Sequence, residues 1–253
     1  MADAWMPGAR CIRAQIDGGQ LGGGAPRVVW LTLGADPRVV SVWSAAQRLN
    51  QENRPTHLVW DPLTGDVAQL LPIVRAGCAL GMPEYLDYEP DRLPPRSAGV
   101  NREGRLCVQI GVLGTPREPF TSFQMIGLAS ILGWLDSWQI PRRWPAGQPA
   151  PYRQLARPRS RALWSLGGHF GASQVPACDS IGPGSIDIDQ IVSATTPGGR
   201  LEKPLADCDL DRQALAQRML SAPVPADRAA ALSLGGQPAS YDAVVRSFSI
   251  AGV

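Results

Sequence analysis

The sequence predicts an α/β protein, a mixed central β-sheet flanked by helices, with a small and mainly helical C-terminal extension. Three observations carry that prediction. Residues 27–33, RVVWLTL, are β-branched and aromatic, and they lie between the glycine-rich GGQLGGGAP and the turn GADP, as a buried strand would. Residues 39–53, VVSVWSAAQRLNQEN, then space their apolar groups as one face of a helix does. Residues 56–72, THLVWDPLTGDVAQLLP, place two apolar runs around DPLTGD, where Pro62 and Gly65 favour the turn of a β-hairpin.

The remaining elements follow in chain order. Residues 76–102 are rich in proline and acidic groups and are expected to form a long irregular loop of the kind that borders a site. RLCVQIGVLG, 105–114, is a second core strand. FTSFQMIGLASILGWLDSWQ, 120–139, is the longest expected helix, with Thr121 placed to cap its first turn. A proline-rich connector over 141–160 leads to a glycine-rich segment from Gly167. After Ile191 the character changes. TTPGGRLEKP has the composition of a linker, and LDRQALAQRMLSAPVPADRAAALSL suggests two short helices separated by prolines. The expected division is a main domain over 1–196 and an extension over 197–253.

Composition narrows the function. At 44% hydrophobic and 18% charged residues the chain has ample material for a core, and a net charge of +2 gives no electrostatic basis for binding nucleic acid. No stretch approaches the apolar length that spans a bilayer. The N-terminal MADAWMPGAR lacks the pattern of a signal peptide, so a virion or cytoplasmic location is expected. The five cysteines are scattered and without a C-x-x-C pair, consistent with buried thiols rather than disulfides or a zinc cluster. GPG and GGG stand outside any strand–GxxxxGK[ST]–helix context and are not a phosphate-binding loop.

Four strings resemble the zinc-dependent N-acetylmuramoyl-L-alanine amidase and peptidoglycan recognition family, which includes phage endolysins. They are VVW at the end of the first main strand, the hairpin THLVWDPLTGDVAQLLP, the strand NREGRLCVQIGVLG, and GGHFGASQVP with GPGSIDI, and the resemblance spans about residues 10–192. It implies an amidase-like sheet and a zinc ion held by a histidine after the first strand, a second in the late glycine-rich segment, and an aspartate or cysteine beyond. Three protein ligands leave the fourth zinc position for a water acidified toward a pKa of about 7.

The resemblance also implies that each key position has lost its donor. Leu31 stands at the first ligand position, Ala172 at the second, Gly182 at the third, and Gly111 where an acidic residue is expected. His169, the outer histidine of the motif, remains. No zinc site of the family type is therefore expected and no cofactor is assigned. A substitute set of His169, Cys178 and Asp179 is conceivable, although adjacent cysteine and aspartate are awkward on one tetrahedral ion. Asp187 and Asp189 have the pattern of capping or solvated carboxylates, Ser173 has no neighbouring base, and His57 is expected at the surface or half-buried.

Most of the tryptophans fall at core positions, while Trp30, Trp60, His169 and Gln174 are the candidate binding residues, the two indoles as faces for a sugar. The expected function is a catalytically inactive, amidase-like structural or adaptor component. A phage tail or other cell-wall-directed assembly is its setting, with other structural proteins as partners and peptidoglycan as a possible ligand. The alternative is an active peptidoglycan amidase using a non-standard metal site.

Overall fold

The structure, a computed structural model, describes residues 2–80, 96–152, 154, 159–178, 180 and 182–194. The expected C-terminal extension lies outside them, as do most of the acidic, proline-rich stretch after Leu80 and Asp179. Six strands form one sheet: β1 (Arg10–Cys11), β2 (Arg27–Thr32), β3 (Leu58–Trp60), β4 (Val67–Gln69), β5 (Cys107–Val112) and β6 (Gly168–Gly171), in the order β1-β4-β3-β5-β2-β6. β3 and β4 are the expected antiparallel hairpin, and every other pairing is parallel. The α/β class with a mixed sheet and flanking helices is thus the observed architecture.

Strand alternation divides the core. Val28, Trp30, Leu58, Trp60 and Ile110 point to one face, where α2 (Leu128–Ser137) and α4 (Ile188–Ser193) cover them with Ile131, Leu132, Leu135 and Ile191. Val59 and Ala68 point to the other face, under α1 (Val42–Gln51). Val29, Leu31 and Phe170 share that second face with Trp164 of α3 (Arg161–Ser165). α1 buries Val42, Ala45, Ala46 and Leu49, the spacing of one helical stripe, and Ser41 caps it by accepting from the Ser44 N–H at 3.2 Å. It stops at Glu52, after which Asn53 turns left-handed at φ 54°.

Three expectations are corrected here. The helix expected over 120–139 is shorter. Phe120–Ser122 makes a 3₁₀ turn, Met125 and Gly127 adopt φ of 52° and 84°, and only then does α2 begin. The break follows from packing. Phe120 is drawn between Trp30 and Trp60, with ring centroids at 5.9 and 5.8 Å, and the Trp60 indole donates to the Ile126 carbonyl at 2.8 Å. Thr121 consequently caps no α-helix, and its Oγ1 accepts from the Asp187 N–H at 3.0 Å. The glycine-rich segment, to which the sequence assigns no element, contributes the edge strand β6, with His169 beside Val28 and Gly171 beside Trp30. Arg96–Arg102, within the expected irregular loop, is 3₁₀ helical.

His57 is the third correction. Expected near the surface, it is wholly buried; its Nδ1 accepts from the Gln109 N–H at 3.0 Å and its Nε2 lies 2.8 Å from the Arg75 carbonyl. The Gln109 side chain continues this network, accepting from the Ala79 N–H at 2.9 Å and donating to Asn101 at 2.7 Å. Asn101 in turn holds the N–H and C=O of Leu80. A segment without regular structure is thereby secured to the sheet by satisfied buried polar groups. Gln109→Ala strands the Ala79 N–H and opens a cavity, so a loss of about 2–4 kcal/mol in unfolding free energy is expected, read from urea midpoints.

Candidate functional site

In parallel α/β sheets the carboxyl ends of the strands are the usual ligand crevice, and there the sequence resemblance places a metal. β2, β5 and β6 end there side by side, with Leu31 paired to Gly111 and Trp30 to Gly171. The parity of β2 sends Leu31 into the cluster that also holds Ala172, Val175, Phe170 and Cys178. Ala172 is fully buried and Leu31 is 7% exposed. The two positions matched to the histidine ligands therefore meet, but as packed hydrocarbon. Gly111 and Gly182 are also filled against: a Cβ at Gly111 would lie 2.9 Å from the Leu33 side chain, and one at Gly182 would lie 2.7 Å from Thr32 Oγ1.

His169 sits on the opposite face of β6 from Phe170 and Ala172. Its ring stacks on Trp30 at 6.0 Å and 22°, and its Nδ1 accepts from the Trp30 indole at 3.1 Å. An indole N–H only donates, so the imidazole proton is on Nε2 and the ring's one acceptor lone pair, on Nδ1, is engaged by the indole. Nε2 is buried without a hydrogen-bond partner. Burial, then repulsion from Arg142, brings its pKa down to about 4, so the ring is neutral. The residues present do not fit the zinc of the resemblance. Among the described residues no three His, Cys, Asp or Glu side chains converge as metal ligands.

The proposed binding residues are similarly committed. Trp30 and Trp60 are 0% exposed, and neither presents a ring face to a sugar. The Gln174 Oε1 accepts from the Trp144 indole at 2.8 Å and from the Gly171 N–H at 2.9 Å, while its Nε2 donates to the Gly147 carbonyl at 2.7 Å. Gln174 thus ties the connector to β6. Ser173 is buried, its N–H donates to the Gly182 carbonyl at 2.6 Å, and its Oγ has no partner. Asp187 caps α4 through the N–H groups of Asp189 and Gln190, as expected. Cys107 and Cys178 are buried thiols; burial pushes Cys107 up to about 12 and away from the reactive thiolate.

The charged grouping is at the other end of the sheet and escaped the sequence reading. Arg27 opens β2, Glu103 precedes β5, and Trp164 with Arg161 precedes β6. No local signal marks them: Arg27 and Glu103 lie 76 residues apart, and the Gly23–Gly104 bridge brings their segments together.

No protein-family model matches the chain, and no curated protein matches it in sequence. Among solved structures it is similar to the hydrolase AmiA of Staphylococcus aureus, at 9% identity over 66% of each chain with a TM-score of 0.40. It is also similar to AmpD, at 15% identity over 78% of this chain and 99% of that one, with a TM-score of 0.44. A third is the endolysin N-acetylmuramoyl-L-alanine amidase LysCS of Clostridium intestinale, at 14% identity over 53% and 77%, with a TM-score of 0.34. The chain spans just under two thirds of the length of AmiA.

Two outcomes test this geometry. Gly182→Ala brings a methyl group against Thr32 and is expected to cost about 1–3 kcal/mol, while Thr32→Ala in the same chain recovers most of the loss; additive losses would show that the two do not touch. The second concerns acid. His57 and His169 fall from the ordinary 6.5 to about 4 in the folded chain, so the unfolded chain binds more protons in that interval. Stability is full above pH 6.5 and is lost on acidification toward pH 4, at about 1.4 kcal/mol per pH unit for each ring. Urea midpoints across this range measure the loss, and a flat profile would mean that the rings titrate normally.

Proposed function

We propose that the chain is a catalytically inactive, amidase-like protein that serves as a structural or adaptor component of a cell-wall-directed assembly, with a phage tail as its setting. The observation that carries this reading is the meeting of Leu31 and Ala172 in one apolar cluster where the sequence resemblance requires two imidazoles. Hydrolysis of an amide needs a polarised water and a group to manage its proton. Leucine, alanine and glycine supply neither, and His169 spends its acceptor nitrogen on Trp30.

Retention of the scaffold is compatible with binding peptidoglycan without cutting it. Such a ligand would have to lie on exposed edges of the carboxyl end, because the indoles of Trp30 and Trp60 are inside the core. In an assembly the same edges would meet other structural proteins.

Purified full chain, supplied with zinc and then dialysed, is expected to retain no stoichiometric metal and to release no muropeptide from isolated cell walls. Stoichiometric zinc together with amide cleavage would overturn the proposal in favour of an active amidase with a different ligand set. Sedimentation with insoluble cell walls separates peptidoglycan binding from scaffolding alone.

A further inference from the structure

We propose that the amino-terminal end of the sheet carries a separate site for a small molecule bearing a phosphate group. A solvent-open pocket of about 590 Å³ lies there, lined by Gly23, Arg27, Arg102, Glu103, Arg161 and Trp164 among others. That volume falls within the range of small-molecule sites and exceeds what phosphate alone would fill. It lies across the sheet's length from the positions matched to an amidase centre and does not depend on the reading given above.

The charge of the cavity is built in. Arg27 is nearly buried, its side chain 4% exposed, and its guanidinium lies 4.3 Å over the Trp164 ring. Its nearest carboxylate, Glu103, is 3.7 Å away, beyond hydrogen-bond distance, and the Arg27 Nε and Nη1 have no hydrogen-bond partner. Glu103 is already engaged elsewhere. Its Oε1 accepts from Arg161 and its Oε2 from the Trp164 indole, each at 2.5 Å. The Arg27 guanidinium thus has Glu103 and the Trp164 ring as charge partners but keeps N–H donors at Nε and Nη1 that make no hydrogen bond.

Three arginines stand against one glutamate among the lining residues, a net of +2. A phosphate dianion balances that charge, whereas a carboxylate balances half of it. Arginine also presents the forked donors that suit phosphate oxygens. The rim leaves room for the group. A Cβ added at Gly23 or Gly99 would meet nothing within 4 Å, and Gly23 and Gly24 hold φ of 84° and 95°, so the backbone borders open space where side chains would otherwise project.

The test is a titration of the full chain with inorganic phosphate at constant ionic strength. It is followed by the indole N–H resonance of Trp164, assigned as the signal missing in Trp164→Phe. A saturable shift is expected, with its midpoint raised about tenfold or more in Arg102→Gln/Arg161→Gln, both exposed positions. Glu103→Gln raises the lining charge and is expected to tighten binding, a change that misfolding would not produce. Absence of saturation, or midpoints unchanged in these variants, overturns the proposal. Saturation by acetate at lower concentration than phosphate overturns the assignment of phosphate and marks the ligand as a carboxylate.

Discussion

β2 lies between two parallel neighbours and has both faces covered, and this constraint organises the rest of the molecule. It is hydrogen-bonded to β5 along its whole length and to β6 along its first four residues, and every side chain from Arg27 to Leu31 is buried. Because successive residues alternate, Trp30 anchors one core and Leu31 joins the other. A strand buried on both faces tolerates a polar group only where a partner waits for it. Trp30 finds His169, and Arg27 at the strand's first position finds Trp164 and Glu103.

The two ends of the sheet consequently have opposite character. At the carboxyl end Leu31, Ala172 and Val175 exclude water, and Gly182 packs so closely on Thr32 that a side chain has no place. At the amino end arginines and a glutamate surround a glycine-walled cavity. The usual preference of α/β sheets for ligands at the carboxyl end depends on loops that carry polar groups there. In this chain the buried positions at that end supply hydrocarbon and main chain, and the charged groups on the exposed loops after β2 and β5, Asp36, Arg38 and Glu118, pair with one another.

The two histidines show the same physics in miniature. Both are enclosed, both have pKa values brought down to about 4, and both spend a ring nitrogen on a partner within the fold. His57 secures β3 to β5 through the Gln109 main chain, and His169 secures β6 to the Trp30 indole. Their chemistry is consumed by architecture.

The amino-acid sequence by itself determined the β2 strand, the α1 stripe, the hairpin, the β5 strand and the Asp187 cap, because each is written in local periodicity, turn residues or capping groups. It also determined which positions carry no donor, since leucine, alanine and glycine have none in any fold. Tertiary structure alone decided the break at Met125–Gly127, which Trp60 and Phe120 impose from other elements, and the conversion of a glycine-rich segment into β6. It alone buried Trp30, Trp60 and His57, and it alone brought Arg27, Glu103 and Arg161 to one cavity. Those outcomes depend on contacts between residues far apart in the chain, and no local pattern of residues encodes a partner at that distance.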